Sequence, residues 1–317
     1  MCLCINLYRL IFKRELMMEN SFNPRDGYVS LKSESLKRKL KERVVSDDDF
    51  HGYLSAEDAA SLAAQEGMTI VELAYSLLDA AKAYAVVPIS GFQVGAVAVG
   101  NSGALYYGAN MEFTGEALSF SVHGEQAATN NAWLNGETGI ANLAINAAPC
   151  GYCRQFLYEL NTASALNIEI TDTTELLTWF LPDAFGPQDL GITGGLLDAQ
   201  DHGLSISGDD EVVFAALAAA NASYAPYTKT YSGIALVRDD GVFTGRVAEN
   251  AAYNPSLSPL ESALSFMTLY SGKSPYDYPP TRCVLVQAEG QADQTGVTGD
   301  VLSTVAPDVT LEVYTAT

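Results

Sequence analysis

Residues 121–160 contain the side chains that could do chemistry together. His123 lies two residues before Glu125, and Cys150 and Cys153 follow in a P-C-x-x-C run. Imidazole and thiolate are preferred zinc ligands, and three protein ligands leave the fourth tetrahedral position open, as in catalytic zinc sites. Glu125 can then reach a metal-bound water without being a ligand itself. The spacing therefore predicts a zinc site of one histidine and two cysteines, with Glu125 as the catalytic acid and base.

The two parts of this motif are more specific together than either is alone. A lone C-x-x-C is a weak signal, because redox pairs and structural half-sites share it. Of the three histidines in the chain, one stands in H-x-E ahead of the cysteine pair. H-x-E followed by P-C-x-x-C is the signature of zinc nucleobase deaminases. The alternative is a structural zinc, or a packed helix with two inert cysteines.

Both halves of the predicted site should lie at the beginning of a helix. Pro149 suits a first helical position because the N–H that it lacks would be unpaired there, which predicts a helix over residues 150–161. Both sulfurs then lie near its N-terminus, where the helix dipole favours thiolate. His123 opens a second helical segment, predicted over residues 122–135. Arg154 is expected to offset part of the negative charge of the thiolates.

The elements before and between these helices read as strands. Residues 91–100 and 104–113 are β-like runs joined by a hairpin turn at Asn101-Ser-Gly103. A further strand is predicted over residues 143–147. The β-β-α-β-α order predicts a mixed sheet with helices packed on its faces.

The part of the chain before this sheet is predicted to be a small helical region. Ser55 as N-cap and Gly67 as stop delimit one helix, and residues 69–85 read as one further apolar helix, which Pro88 ends. Residues 31–45 can form a basic amphipathic helix whose charged face is solvated.

Residues 1–16 do not have the pattern of a targeting segment. Their apolar run is interrupted by Arg9 and has basic residues after it, whereas a signal peptide has them before it. The run is also too short to span a bilayer. We expect that Met17 or Met18 is the true start and that the protein has no membrane partner. The alternatives for residues 1–16 are a disordered or loosely packed tail and a segment that contacts a membrane.

The second half of the chain repeats the first. The run AYAVVPISGFQVGAVAV has an echo in SYAPYTKTYSGIALV, and NMEFTGEALSFSVHGEQAA has one in VAENAAYNPSLSPLESAL. The predicted pairs are Pro88 with Pro226, Gly95 with Gly233, Glu112 with Glu249, Glu125 with Glu261, and His123 with Pro259. No P-C-x-x-C follows in the second copy. We therefore predict one Zn²⁺ per chain and a degenerate second copy that supports dimerisation, with a cryptic second active site as the alternative.

From about residue 44 onward the chain resembles the long, two-domain bacterial cytidine deaminases, the form that works as a homodimer. The matching segments are ISGFQVGAVAVG, GANMEF, VHGEQAA, APCGYCRQF, LPDAFGP, DAQDHG and AENAAYNP. The resemblance implies an α/β fold, a duplicated cytidine-deaminase-like three-layer sandwich with a mixed sheet between helices, preceded by the small helical region. The expected divisions are 1–68 (N-terminal extension and helical region), 69–185 (catalytic domain), 186–208 (linker) and 209–317 (degenerate copy).

The activity implied by this resemblance is that of a zinc-dependent hydrolase. A zinc-bound hydroxide would attack the cytosine ring of cytidine or 2′-deoxycytidine, giving uridine or deoxyuridine and ammonia in pyrimidine salvage. Glu125 would move the protons. The alternatives are a zinc deaminase of another free aminopyrimidine or aminopurine, and a non-catalytic zinc-stabilised protein.

The resemblance also implies a substrate pocket. Phe92 matches an aromatic that packs on the nucleoside, and Asn110 and Glu112 match the pair that binds the ribose hydroxyls. Gly124, where relatives usually have Ala or Cys, would offer its backbone to the base. Phe185 matches an aromatic that reaches the base from the neighbouring subunit, so that active sites are shared. Ordinary core packing is the alternative for both aromatics.

The charge and the cysteine content of the chain limit which partners and which cellular compartment are expected. The chain has 317 residues with 17 Lys and Arg, 38 Asp and Glu, and a formal net charge of −21. Ten of the basic and five of the acidic residues fall in residues 1–45, so the remainder is strongly acidic. Such a surface repels phosphates, which disfavours nucleic acid and favours a small uncharged substrate. A solubility adaptation is the alternative explanation. Five cysteines, two of them in a metal motif, favour a reducing, cytoplasmic setting.

Overall fold

The computed structural model describes residues 31–46, 52–171 and 173–317, together with residues 22, 24, 27 and 28. The expectation for residues 1–16 lies outside these residues. Within them the helices are α1 (Glu34–Ser46), α2 (Ala56–Glu66), α3 (Ile70–Ser76), α4 (Leu78–Lys82), α5 (Gly124–Leu134), α6 (Gly151–Leu157), α7 (Leu177–Phe180), α8 (Glu211–Asn221), α9 (Pro259–Ser271) and α10 (Thr295–Val305). None of these helices is both long and apolar enough to cross a membrane.

The strands form two mixed sheets. They are β1 (Tyr53–Leu54), β2 (Gly95–Gly100), β3 (Leu105–Ala109), β4 (Ile140–Ile145), β5 (Asn167–Ile170), β6 (Thr173–Leu176), β7 (Ser232–Arg238), β8 (Gly241–Arg246), β9 (Arg282–Ala288) and β10 (Leu311–Ala316). The first sheet has the order β1-β3-β2-β4-β5-β6 and the second β10-β9-β7-β8. The pairs β4–β5 and β9–β10 are parallel and the others antiparallel.

Close helix packing on both faces of the first sheet makes it the middle of three layers. A Cβ at Gly95 would lie 2.7 Å from the carbonyl oxygen of Leu78 in α4, and one at Gly108 would lie 2.2 Å from that of Gly124 in α5. Gly95 pairs with Ala109, so Gly95 and Gly108 face opposite sides of the sheet. Only glycine allows the two helices this close. The predicted three-layer sandwich is confirmed.

The second sheet repeats this arrangement. A Cβ at Gly233 would lie 2.6 Å from the carbonyl oxygen of Ala216 in α8, and one at Gly245 would lie 2.4 Å from that of Pro259 in α9. The predicted duplication is therefore confirmed by the packing as well as by the order of strands.

The helix starts correct the predicted register between the copies. His123 is the N-cap of α5 and Ser258 is the N-cap of α9. Each backbone N–H donates to the side chain three residues on, that of Gln126 or Glu261, at 3.0 Å. The pairing of His123 with Pro259 is thus wrong by one residue, and Glu261 corresponds to Gln126 rather than to the predicted catalytic acid. Capping geometry, and not the shared glutamate, fixes where each helix begins.

The single helix predicted over residues 69–85 is two helices that meet at Leu77. The hydroxyl of Ser76 donates to the Leu73 carbonyl at 2.7 Å. The Leu77 N–H is shared between the carbonyls of Leu73 and Ala74, both at 3.2 Å. A serine hydroxyl that competes for a helix carbonyl is a known cause of a break in the ladder.

Other boundaries agree with the predictions to within a few residues. Ser55 caps α2 and Gly67 ends it at φ +67°, while Gly103 takes φ +87° in the predicted hairpin turn. The strand predicted over residues 143–147 is β4, which begins three residues earlier. The predicted basic helix is α1, and it also buries Leu36 and Leu40 in the core.

The two copies pack together through α5 and α9. The Asn130 amide donates to the Ser262 carbonyl at 2.9 Å, and the Ser262 hydroxyl donates to the Asn130 amide oxygen at 2.6 Å. Arg246 lies 3.9 Å over the ring of Trp133 and donates to its carbonyl at 2.7 Å. One hydrophobic core therefore runs through both copies.

Candidate metal centre and active site

The three predicted metal ligands lie together. The sulfur of Cys150 is 3.6 Å from Nδ1 of His123 and 3.5 Å from the sulfur of Cys153, and the donor atoms all fall within 4.8 Å of one another. A tetrahedral zinc with its usual bond lengths needs donor separations of about 3.5–3.8 Å. The soft donor set and its spacing therefore fit zinc. Among the described residues no other such group of His, Cys, Asp or Glu is present.

Cys150, rather than Pro149, begins the helix that carries both sulfurs. Cys150 is the N-cap of α6 with extended backbone, and its sulfur accepts the N–H of Cys153 at 3.4 Å. The predicted first-turn position of Pro149 is therefore wrong, because the sulfur itself caps the helix. The predicted end at residue 161 is also too late: α6 ends at Leu157. Both sulfurs still lie at a helix N-terminus, as predicted.

His123 is held by two residues that the sequence analysis did not single out. Gln126 accepts its backbone N–H at 3.0 Å. The ring of Tyr152 stacks on the imidazole at a centroid distance of 5.0 Å and an interplanar angle of 19°. Such partners outside the ligand set fix the orientation of a ligand ring. The position of Tyr152 inside C-x-x-C was the available signal, because it places the ring beside the metal.

Hydrogen bonding distributes protons unevenly within the ligand group. The hydrogen bonds from Cys153 and His123 lower the pKa of the Cys150 thiol to about 3. The hydrogen bonds that Cys153 and His123 make to Cys150 raise the pKa of each of these two partners. Metal binding at this group therefore displaces the proton of the Cys153 thiol.

Glu125 lies at the N-terminus of α5 beside the ligands. Its side chain is 3% exposed. Burial raises its pKa, while a hydrogen bond with the Cys153 thiol and the nearby His123 act in the opposite direction. A buried carboxyl group beside a metal site, and not among its ligands, has the position that a proton shuttle requires.

A backbone bridge joins the segment of Asn110 and Glu112 to the segment that ends at His123. Met111 and Val122 exchange both N–H to carbonyl bonds at 2.8 and 2.9 Å in an antiparallel register, which sets Asn110 opposite His123 and Glu112 opposite Ser121. Its carboxylate accepts the backbone N–H groups of Ile89 and Ser90 at 2.8 and 3.0 Å. It also accepts the Ser90 hydroxyl, at 2.5 Å.

Asn110 holds the other half of the same loop. Its amide donates to the carbonyl of Phe92 at 2.9 Å and accepts the N–H of Val94 at 2.8 Å. Phe92 is 61% exposed, so core packing does not explain this aromatic. A Cβ on Gly124 would lie 3.0 Å from the Val94 side chain, so the loop reaches the start of α5. The structure thus joins Phe92, Asn110 and Glu112 in one loop region that reaches Gly124, the residue after His123.

Phe185 lies on a loop tied to the helix that carries the thiolates. Its carbonyl accepts the Gln155 amide at 2.8 Å, and its ring is 48% exposed. Pro182 and Pro187 flank this segment, and a residue before a proline favours extended backbone. Instead the chain turns at Pro182 and Asp183, where Asp183 takes φ +51°. The aromatic is therefore presented by a turn that α6 anchors.

Arg154 does not point its charge at the thiolates. Its guanidinium donates to the carbonyls of Pro149 at 2.8 Å and Phe180 at 2.9 Å. It therefore braces the segment before α6 against α7, and the expected charge compensation is not its principal contact.

Comparison with known proteins agrees with this site. Residues 68–167 and residues 177–298 each match the family description "Cytidine and deoxycytidylate deaminase zinc-binding region". A cytidine deaminase of Photobacterium profundum is 51% identical over 228 residues, 71% of this chain and 77% of that protein. One of Vibrio cholerae is 43% identical over 274 residues, 86% of this chain and 92% of that protein.

Among solved structures, the cytidine deaminase of Mycobacterium tuberculosis shares 31% identity. That similarity covers 37% of this chain and 97% of that one, with a TM-score of 0.34. The family assignment rests instead on the sequence relatives and on the two zinc-binding regions. With these matches and the His/Cys/Cys group beside a buried glutamate, the chain belongs to the cytidine deaminase family of zinc-dependent hydrolases.

Proposed function

We propose that the chain hydrolyses the 4-amino group of cytidine and 2′-deoxycytidine. One water is consumed, uridine or deoxyuridine forms, and ammonia leaves. The observation that carries this proposal is the buried Glu125 beside the donor group of His123, Cys150 and Cys153. When bound there, zinc supplies a Lewis acid that lowers the pKa of a coordinated water to about 7.

Glu125 is the proton carrier of this proposal. Its carboxylate takes a proton from the attacking water and passes it to ring nitrogen 3 as carbon 4 becomes tetrahedral. It then takes the proton of the new hydroxyl group on carbon 4 and delivers it to the amino group, which leaves as ammonia as the carbon–nitrogen bond breaks and the carbon–oxygen double bond forms. Its burial keeps the proton from exchanging with bulk water during these steps.

The nucleoside would be held by the loop that begins at Ile89. Phe92 would pack on the nucleoside, Asn110 and Glu112 would bind the ribose hydroxyls, and Gly124 would offer its backbone to the base. The exposed ring of Phe92 supports this role. The carboxylate of Glu112 beside the sugar would disfavour a phosphate there by charge repulsion.

The decisive test is the loss of cytidine absorbance in the ultraviolet with purified protein. Deoxycytidine, adenosine, guanine and deoxycytidylate are assayed beside it. We expect turnover of the two free pyrimidine nucleosides and strong rejection of deoxycytidylate. Turnover of a purine alone would replace the proposed substrate, and a zinc-loaded protein that deaminates none of them would establish the non-catalytic alternative.

We also propose a homodimer with shared active sites, in which Phe185 enters the pocket of the partner subunit. Its half-exposed ring on an anchored turn supports this. The proposed divisions are residues 1–68, 69–185, 186–208 and 209–317, with zinc held in the second of these. A cytoplasmic location and a place in pyrimidine salvage remain predictions.

Mixing two variants tests whether the site is shared. Glu125→Gln subunits are allowed to exchange with Phe185→Ala subunits. One pocket of the mixed dimer then has both residues intact, so activity should rise above that of either variant. If verified exchange restores nothing, Phe185 acts within its own chain.

A further inference from the structure

The helix that carries both cysteine ligands rests on the second copy. Three polar residues on one side of α6 and its C-terminal turn, Tyr152, Gln155 and Glu159, bind the loop over residues 250–254. The hydroxyl of Tyr152 donates to the Asn254 carbonyl at 2.6 Å. The Asn250 amide donates to the Gln155 carbonyl at 2.9 Å. The loop is therefore tied to this helix along its whole length.

Glu159 makes the most demanding of these contacts. It is fully buried, with 0% exposure. One carboxylate oxygen accepts the hydroxyls of Tyr224 at 2.8 Å and Tyr227 at 2.5 Å. The other accepts the N–H of Ala251 at 2.9 Å. All three donors belong to the second copy, and no ion pair to Glu159 occurs among the described residues.

A buried carboxylate is costly unless hydrogen bonds with good geometry compensate it. Three donors converging on Glu159 meet that condition in one orientation of the side chain, which fixes α6 relative to the second copy. The opposite end of α6 presents Cys150 and Cys153 toward His123. A rotation of α6 would therefore change both the three hydrogen bonds and the separations of the metal donors.

We propose that Glu159 is a positioning residue that fixes, through the second copy, the distances from His123 at which Cys150 and Cys153 hold zinc. This inference rests on the proposed zinc site. It gives the degenerate copy a definite task within its own chain: the copy supports the ligand geometry of the other copy from outside the ligand set. Partners of this kind typically change metal affinity about 10- to 100-fold.

The test compares Glu159→Gln and Tyr227→Phe, separately and together, with the parent chain. Glu137→Gln is the matched control, because Glu137 is also a buried carboxylate that accepts two hydroxyls, from Ser102 and Tyr106, at the far end of β2 and β3. The measurements are zinc release from folded protein to a chromophoric chelator, the visible spectrum of the cobalt-substituted protein, and kcat separately from KM.

We expect Glu159→Gln to release zinc about 10- to 100-fold faster, to change the cobalt spectrum and to lower kcat with little change in KM. Tyr227→Phe should have a smaller effect in the same direction, and the double variant should show less than the product of the two because both act on one contact. The control Glu137→Gln should lose stability. Its zinc-release rate should stay within about twofold of the parent's, and its cobalt spectrum should be unchanged.

The inference would be overturned if both Glu159→Gln and Tyr227→Phe release zinc at the parent's rate and keep the parent's cobalt spectrum. It would also be overturned if the control Glu137→Gln releases zinc as fast as Glu159→Gln does. Tyr227→Phe decides the question where Glu159→Gln does not fold. A parent chain that holds zinc but leaves cytidine unchanged would remove the proposed function, while the zinc comparison would still decide this inference. A parent that binds no zinc would remove both.

Discussion

Glu112 and Glu249 make the same three hydrogen bonds in the two copies. Glu112 accepts the N–H groups of Ile89 and Ser90 and the hydroxyl of Ser90. Glu249 accepts the N–H groups of Tyr227 and Thr228 and the hydroxyl of Thr228. No His/Cys/Asp/Glu group that could hold a metal occurs among the described residues of the second copy, so this arrangement does not depend on an active site. These three hydrogen bonds stabilise the loop in both copies. In the first copy we propose that Glu112 also binds the ribose.

Variants of Glu112 and Glu249 can separate the structural role of Glu112 in the loop from its proposed role in binding the ribose. Glu112→Gln and Glu249→Gln should each lower the free energy of unfolding by about 1–3 kcal/mol, because each weakens hydrogen bonds to a charged acceptor. Only Glu112→Gln should also raise KM for cytidine. Denaturant unfolding and steady-state kinetics on both variants test this. An equal rise in KM for Glu249→Gln would show that Glu112 acts through the fold alone.

Glu125→Gln should keep zinc and fold but lose turnover. A positioned acid and base contributes about 10²- to 10⁴-fold, and one group that serves several proton transfers should reach the upper end. Metal analysis and kcat are the measurements, with Glu261→Gln as the same chemical change in the second copy. Activity of Glu125→Gln within tenfold of the parent would remove Glu125 from the mechanism.

Each chain should hold one zinc. Cys150→Ala should release it and also destabilise the fold, because the sulfur caps α6 as well as binding metal. Cys283→Ala is the control, since Cys283 is buried in β9 away from any ligand group among the described residues. Metal analysis of the parent and both variants gives the answer. Two zinc ions per chain would contradict the assignment of a degenerate second copy.

Glu261 should make stability depend on pH. Burial raises the pKa of Glu261 from the ordinary 4.5 to about 7. A carboxyl whose pKa is raised binds more protons in the folded than in the unfolded state, so its contribution falls as pH rises from about 4.5 to 7. Glu261→Gln keeps an acceptor for the N–H of Ser258 and removes the charge.

The variant should therefore be more stable than the parent at pH 8, by up to about 3 kcal/mol, and equal to it near pH 4.5. Its counterpart Gln126 already caps α5 with a neutral amide. Unfolding by denaturant at several pH values, on parent and variant together, is the measurement. If the difference in free energy of unfolding between variant and parent does not grow between pH 4.5 and 7, the pKa of Glu261 is not raised in the folded protein.

The amino-acid sequence by itself determined the order of the elements and which histidine and cysteines come together as a group that can hold a metal. Two cysteines three residues apart at a helix start meet through local geometry alone, and a glycine turn between two β-like runs makes a hairpin wherever the sheet lies. The duplication could be predicted for the same reason, because two copies of one local structure appear as two similar segments of sequence.

Only the tertiary structure decided contacts that join distant parts of the chain. The alignment of α9 with α5 depends on the cap that Ser258 and Glu261 complete. Sequence similarity alone favoured a pairing that differs by one residue. The burial of Glu159 against Tyr224 depends on where α6 and the second copy meet, and the turn at Asp183 lies beside a loop that Gln155 of α6 holds. Such contacts carry no periodic signal, since their partners lie tens of residues apart and are selected by packing in three dimensions.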